Sequence, residues 1–265
     1  MKEKLGLVLV ATNKYVPLGL RMVNRLNHFC NNKDDMRIYL YTDVDVTEFV
    51  SKHSNVTVVN INKKHSWGAA LFLRMKALKE VASSNDHEFV AGLDADSNIY
   101  RSFDVDELVA ENFVFEHSYI TNGRQLGEWW PFETNPNSIA YVDPASNPKS
   151  YYQICYFGGT PKNVIKMTDV VFEQLDIDLK NNAVPTHWPD ERYMQKYFVE
   201  FPPTRLFNMN TFPIIIDDKG MDNFVSGVDE LPFFGLTQEE YDDLVHKTIM
   251  YDGLWNIKNN KFIAE

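Results

Sequence analysis

Cysteine is scarce: Cys30 and Cys155 are the only two in 265 residues. That is too few for a disulfide framework and fits a reducing compartment, so a cytoplasmic location is expected. No apolar run approaches the ~18 residues needed to span a bilayer. The amino-terminal stretch is short for a signal peptide, and no small-x-small cleavage pattern follows it. Residues 5–11 are therefore read as a buried first strand. The common phosphate-binding signatures are missing. Without G-x-G-x-x-G or G-x-x-x-x-G-K-[ST], a dinucleotide oxidoreductase or P-loop enzyme is disfavoured. No H-E-x-x-H or paired C-x-x-C supports zinc, and no G-x-S-x-G supports a nucleophile elbow. Positive charge is also short: 26 Lys and Arg stand against 37 Asp and Glu, a formal net charge of −11. Such a surface repels phosphate backbones, so nucleic acid is not an expected partner. A small polyphosphate ligand stays admissible, because one metal ion reverses the sign locally.

With 44% hydrophobic and 24% charged residues, the chain has a globular composition. Its length suits one large domain or two intimate ones. The first hundred residues alternate in type. Apolar runs at 5–11, 37–42, 56–61 and 88–93 read as strands. Helical spacing of Leu18, Met22, Leu26 and Phe29, and helical stretches at 47–53 and 69–81, lie between them. This order predicts an α/β fold with a mostly parallel sheet and helices on its faces. Ligands then gather at the carboxyl ends of the strands. Residues 117–150 have little periodicity and read as a long functional loop region. Gly158-Gly159 marks a strand-to-helix transition, with helices predicted over 161–175 and 189–198. The last sixty residues are mixed in pattern.

Chemistry is concentrated in two places. Leu93-Asp94-Ala95-Asp96 ends an apolar strand. In an extended chain, Asp94 and Asp96 would point to the same side with Cα atoms ~6.6 Å apart. Their repulsion, roughly 2 kcal/mol at an effective dielectric near 20, calls for compensation. A hard divalent cation with oxygen ligands offers it, and a solvated Asp- and Asn-rich turn is the plain alternative. The second place is Trp188-Pro189-Asp190-Glu191. Pro189 suits the first position of a helix, and acids in its first turn also complement the helix dipole.

Together these pieces resemble glycosyltransferase family six, which includes the histo-blood-group A and B transferases and the α-1,3-galactosyltransferases. Val10-Ala11-Thr12-Asn13-Lys14-Tyr15 resembles that family's first strand and uracil-contacting turn, and Trp67 with Arg74-Met75 its donor-binding helix. Asp94-Ala95-Asp96 resembles the metal motif. Tyr151-Tyr152 with Phe157-Gly158-Gly159-Thr160 resembles the donor-sugar strand, and Trp188 with Asp190-Glu191 the catalytic helix. The resemblance implies a GT-A-type nucleotide-sugar transferase fold and a single catalytic domain over 1–265. Its nucleotide-binding part would cover about 1–100, and its acceptor and catalytic part about 101–265.

It further implies a retaining transfer of galactose or N-acetylgalactosamine from a UDP-sugar to a saccharide acceptor, forming an α-1,3 linkage with Mn²⁺ or Mg²⁺ as cofactor. Val10, Ala11, Thr12 and Tyr15 would hold the uridine, and Trp67 on the donor-binding helix would contact the donor. Arg74 and Asp190 would bind the hexose, and Asp94, Ala95 and Asp96 the metal and diphosphate. Glu191 matches the catalytic carboxylate. His117, Pro131 and Trp188 fall at acceptor positions, and Trp129 and Trp130 offer further ring faces or ordinary core packing. The chain departs from the family at the donor-selecting positions, where it carries Gln153 and Cys155, and at an acceptor-contacting Asp, which aligns with Ile214. The diphosphate-closing basic tail has only Lys247, Lys258 and Lys261 as candidates. As in soluble bacterial and phage members, no membrane anchor or stem is expected. A nucleotide-sugar hydrolase, an inverting transferase and an inactive carbohydrate-binding protein are the alternatives.

Overall fold

The first apolar run becomes β1 (Glu3–Val10), in which residues 5–9 are all buried. Its side chains divide by the period of two. Leu5, Leu7 and Leu9 face one core, and Val8 faces another. In the computed structural model the described residues are 2–12, 15–61, 67–99, 101–117, 120, 123, 125, 126, 130–186, 188–208, 210, 212–215, 255, 256, 261 and 262.

β1 is followed by α1 (Val16–Phe29), β2 (Met36–Thr42), the single-turn α2 (Thr47–Val50), β3 (Val56–Asn60), α3 (Trp67–Ser84) and β4 (His87–Leu93). Then come β5 (Asn98–Ile99), β6 (Asn112–Glu116), β7 (Tyr152–Gly159), α4 (Pro161–Asn181), α5 (Pro189–Glu200), β8 (Arg205–Phe207) and β9 (Ile214–Ile215). Two further short strands, β10 (Trp255–Asn256) and β11 (Lys261–Phe262), pair with each other, and β9 pairs with β5.

The main sheet has seven strands in the order β3-β2-β1-β4-β7-β6-β8. β1 runs parallel to β2 and β4, β2 to β3, and β6 to β8. β7 is antiparallel to both of its neighbours. On one face α1 buries Leu18, Met22 and Leu26 against Leu5, Leu7, Ile38 and Leu40. On the other, α3, α4 and α5 bury Met75, Leu78, Val164, Met167, Tyr193 and Tyr197 against Val8, Val90 and Phe157. Both faces are covered, which is why the inner strands read as continuous apolar runs.

Two features of β7 place the site. Gly158 and Gly159 let it lie close to its neighbours. A Cβ on Gly158 would sit 2.2 Å from the Val90 carbonyl oxygen, and one on Gly159 2.4 Å from that of Glu111. Near its start the pairing with β6 slips, from Val114 opposite Phe157 to Phe115 opposite Gln153. Such an irregularity bends a strand and re-aims its side chains. The start of β7 lies beside the carboxyl end of β4, where the Asp94 N–H donates to the Cys155 carbonyl at 2.8 Å.

The predicted α/β layout and strand alternation hold in this architecture. Helix 69–81 extends to Trp67–Ser84 and helix 161–175 to Pro161–Asn181. The predicted helix 47–53 contracts to one turn. The short strands β6 and β8 carry no pattern long enough to stand out from the surrounding irregular chain.

Candidate functional site

Where the strand order reverses, between β1 and β4, an open α/β sheet leaves a crevice beyond its carboxyl ends. A cavity of ≈ 460 Å³ opens there, in the size range of small-molecule sites. Val10 at the end of β1, then Thr12 and Tyr15, line one wall. The turn into α1 is closed by the Tyr15 N–H donating to the Thr12 carbonyl at 3.0 Å. Asp94, Ala95 and Asp96 line the floor. They are not in extended chain as predicted. β4 stops at Leu93, and the Ser97 N–H donates back to the Asp94 carbonyl at 3.2 Å. A turn, and not strand alternation, brings both aspartates to the cavity.

Arg74 reaches the cavity from α3, and Asp190 and Glu191 from the first turn of α5. Gln153, His117 and Trp188 complete the set of predicted residues at its wall. Trp188 is 52% exposed and sits at φ 43°, immediately before Pro189. A bulky residue in the left-handed region carries strain of order 1–3 kcal/mol, a cost that concentrates at functional sites.

Three predicted residues keep their side chains out of the cavity lining. Ala11 is fully buried, its Cβ facing Gly19 so closely that a Cβ on Gly19 would lie 2.4 Å from it. Cys155 is buried behind the floor, where burial first and then Asp94 push its thiol well above the ordinary range. Pro131 is buried beside Phe132 and Trp130. The side chains of Trp67, Ile214 and Lys261, and all of Asn13, Lys14, Trp129, Lys247 and Lys258, lie outside the described residues.

Electrostatically the cavity is acidic around one central cation. The buried Arg74 guanidinium pairs with Asp94 and, at 3.1 Å, with Asp190, which is itself 1% exposed. Burial alone would lower the Arg74 pKa, but the two carboxylates outweigh it and hold it above its ordinary value. Burial also lifts Asp94 and Asp190 above the usual carboxylate range against the pull of Arg74. The direction that decides the charge state is that of Arg74: it stays cationic, and its pull favours two ionised partners. Asp96 opens onto the cavity yet is ringed by protein; this desolvation, then Asp94, raises it to about 6. Glu191 is pushed up to about 7, chiefly by burial, with Arg192 opposing. Four carboxyl groups thus face a cavity in which Arg74 alone among the lining residues carries a fixed positive charge. Oxygen donors in negative excess suit a hard cation.

Two contacts have no counterpart in the predicted set. The Tyr151 hydroxyl donates to Glu191, and Gln195 bonds both backbone groups of Tyr152. Tyr151 had a signal: it stands two residues before Gln153 and so shares its face in extended chain. Gln195 had a weaker one, standing one helical turn after Glu191.

Residues 1–213 match the family model for glycosyltransferase family 6. Among curated proteins, the chain is 23% identical over 212 residues to globoside alpha-1,3-N-acetylgalactosaminyltransferase 1 of Gallus gallus, covering 77% of this chain and 60% of that protein. It is 23% identical over 211 residues to histo-blood group ABO system transferase 2 of Rattus norvegicus, covering 77% and 61%. A shorter match, 30% identical over 92 residues, joins it to glycosyltransferase 6 domain-containing protein 1 of Macaca fascicularis, covering 32% and 29%. The matched part therefore spans less than two thirds of the length of each of these relatives. The seven-stranded, mostly parallel sheet flanked by helices accords with the GT-A-type fold expected from the family match. The chain belongs to glycosyltransferase family 6.

Proposed function

We propose that the chain is a metal-dependent retaining glycosyltransferase that moves galactose or N-acetylgalactosamine from UDP to a saccharide acceptor, forming an α-1,3 linkage. The observation that carries this reading is the convergence of Asp94, Asp96, Arg74, Asp190 and Glu191 on one cavity at the carboxyl ends of the sheet. The relative named for alpha-1,3-N-acetylgalactosaminyl transfer supports the linkage and the N-acetylgalactosamine donor, and the relative named for ABO transfer supports a glycosyltransferase.

Asp94 and Asp96 fit a divalent ion by donor type and by the uncompensated negative charge around them. Among the described residues no three His, Cys, Asp or Glu side chains form a metal cage. Two carboxylates with the remaining positions left to diphosphate oxygens and water is the usual arrangement for such ions. When bound, Mn²⁺ or Mg²⁺ supplies charge neutralisation of the diphosphate leaving group.

Val10, Thr12 and Tyr15 form the wall for the uridine, and Arg74 with Asp190 orients the hexose. As the sugar–phosphate bond breaks, positive charge grows at the anomeric carbon. The Glu191 carboxylate stabilises that charge, or bonds to the carbon as in retaining glycosidases. The acceptor hydroxyl then enters on the face that the diphosphate left, with His117 and Trp188 of the cavity lining as acceptor contacts. Its proton goes to the departing diphosphate oxygen.

The test is a panel of UDP-galactose, UDP-N-acetylgalactosamine and UDP-glucose with a panel of galactosides. UDP release is followed with Mn²⁺, with and without chelator, and the product anomer is read by NMR. UDP release that the chelator stops, with an α-linked product, is expected. A β-linked product would make the enzyme inverting, sugar release without transfer would make it a hydrolase, and no consumption of any donor would leave a binding protein. Each of these overturns the reading.

A further inference from the structure

We propose that Tyr151 is a positioning residue for Glu191, and that Gln195 holds the two in register. The proposal deepens the glycosyl-transfer reading and rests on it for its kinetic part alone. The Tyr151 hydroxyl donates directly to Glu191 Oε1. Its ring is hemmed in by His117, with centroids 5.0 Å apart, and by Phe132 at 6.2 Å. The phenol therefore has little room to swing off the carboxylate.

Gln195 stands one turn beyond Glu191 on α5 and is fully buried. Its Nε2 donates to the Tyr152 carbonyl, and its Oε1 accepts from the Tyr152 N–H at 3.1 Å. One carboxamide thus satisfies both backbone groups of the first residue of β7, as a neighbouring strand would. Consecutive residues, Tyr151 and Tyr152, are tied to residues one turn apart on α5. Two such ties fix both the rotation and the axial position of the helix. Burial of Gln195 needs only some hydrogen-bond partner. It does not need one adjacent to the residue that holds Glu191.

The consequence is chemical. A hydroxyl that donates to a carboxylate favours its charged form. Glu191 faces Arg192 from its own helix, Arg74 from α3, Asp94 from the end of β4 and the Ile154 N–H from β7. Asp96, Asp190 and His117 line the same cavity. The Tyr151 hydroxyl is a neutral donor, as is the Ile154 N–H, so removing it leaves every charge in place.

Two variants of the full chain test this, Tyr151→Phe and Gln195→Met, both keeping the shape of the side chain. The first measurement needs no donor: a carbon-13 NMR titration of the Glu191 carboxyl, identified by its absence in Glu191→Gln. Tyr151→Phe is expected to raise the Glu191 pKa, and Gln195→Met to broaden or shift the signal. The second measurement is kinetic, with the donor that the wild type uses. Both variants are expected to lower kcat by up to about 100-fold, with the donor KM within about threefold. The acid limb of kcat/KM should move to higher pH in Tyr151→Phe. A purely structural tyrosine would leave that limb in place. An unchanged carboxyl titration in Tyr151→Phe overturns the proposal, as does wild-type kcat in that variant while Glu191→Gln is inactive. A wild-type protein that consumes no UDP-sugar refutes the transfer reading instead, and the titration still decides the contact.

Discussion

Glu191 joins two demands that oppose each other. It must be desolvated to sit against a reacting centre, and desolvation raises its pKa to about 7. It must also be ionised to stabilise positive charge. Because the ionised form is the active one, kcat/KM is expected to fall as pH drops through about 7. A rate profile flat from pH 5.5 to 8 would remove Glu191 from that role. Glu191→Gln is expected to lower kcat by about 100- to 1,000-fold, the scale of losing one preorganised charge-stabilising group. Donor affinity, measured by calorimetry with UDP, should change little. Wild-type turnover in the variant would show that the reaction does not use this carboxylate. Arg74 illustrates the same point from the other sign: its burial is tolerable only because Asp94 and Asp190 stand on either side of it.

The elements that carry these residues are held by polar contacts as much as by apolar packing. Asp178, near the end of α4, is fully buried. It accepts from the Ser138 hydroxyl, from the Ile139 N–H at 2.8 Å and from the Tyr193 hydroxyl at 3.0 Å. One carboxylate therefore joins α4 to α5 and to the irregular segment after Trp130. Hydrogen bonds to a charged group contribute ~1.5–3 kcal/mol each, and orphaned buried donors add to the loss. Asp178→Ala is expected to destabilise the fold by about 3 kcal/mol or more, read by urea unfolding. A loss under 1 kcal/mol would mean that the segment after Trp130 is anchored elsewhere. None of this could be read from the sequence. Asp178 lies beyond the helix predicted over 161–175, as one acid among several, and its partners are 40, 39 and 15 residues away.

Across the whole molecule, protonation acts on stability with two opposite signs. The raised carboxyls of Asp96 and Glu191 mean that the native state holds protons the unfolded chain has already lost, so their ionisation costs stability as pH rises towards 7. His87, at the amino ends of the strands, works the other way. It is 1% exposed, lies 2.8 Å from the Tyr39 hydroxyl, and faces Gly6, where a Cβ would fall 2.5 Å from its ring. Burial pushes its pKa below the ordinary value, against the opposing pull of Glu3. The unfolded chain then binds the proton more tightly. Its contribution is complete above about pH 6.5 and is lost as pH falls below that. Unfolding of the wild type minus that of His87→Gln, measured at pH 7.5 and 5.5, should show this part of the acid loss. An equal loss in both proteins would acquit His87.

The sequence by itself determined the layered α/β architecture, because strands covered on both faces need unbroken apolar runs and their helices need a 3.6-residue stripe. It also determined the identity of the acids, since the D-x-D string and the Asp190-Glu191 pair are short local patterns that a known family shares. Only the tertiary structure decided that a turn, and not strand alternation, brings Asp94 and Asp96 to the cavity, that Ala11, Cys155 and Pro131 face away from it, and that Tyr151 and Gln195 grip the helix of Glu191. The turn is closed locally by the Ser97 N–H on the Asp94 carbonyl, whereas the other outcomes depend on contacts between elements distant in the chain, where register and packing, and not local preference, set which atoms meet.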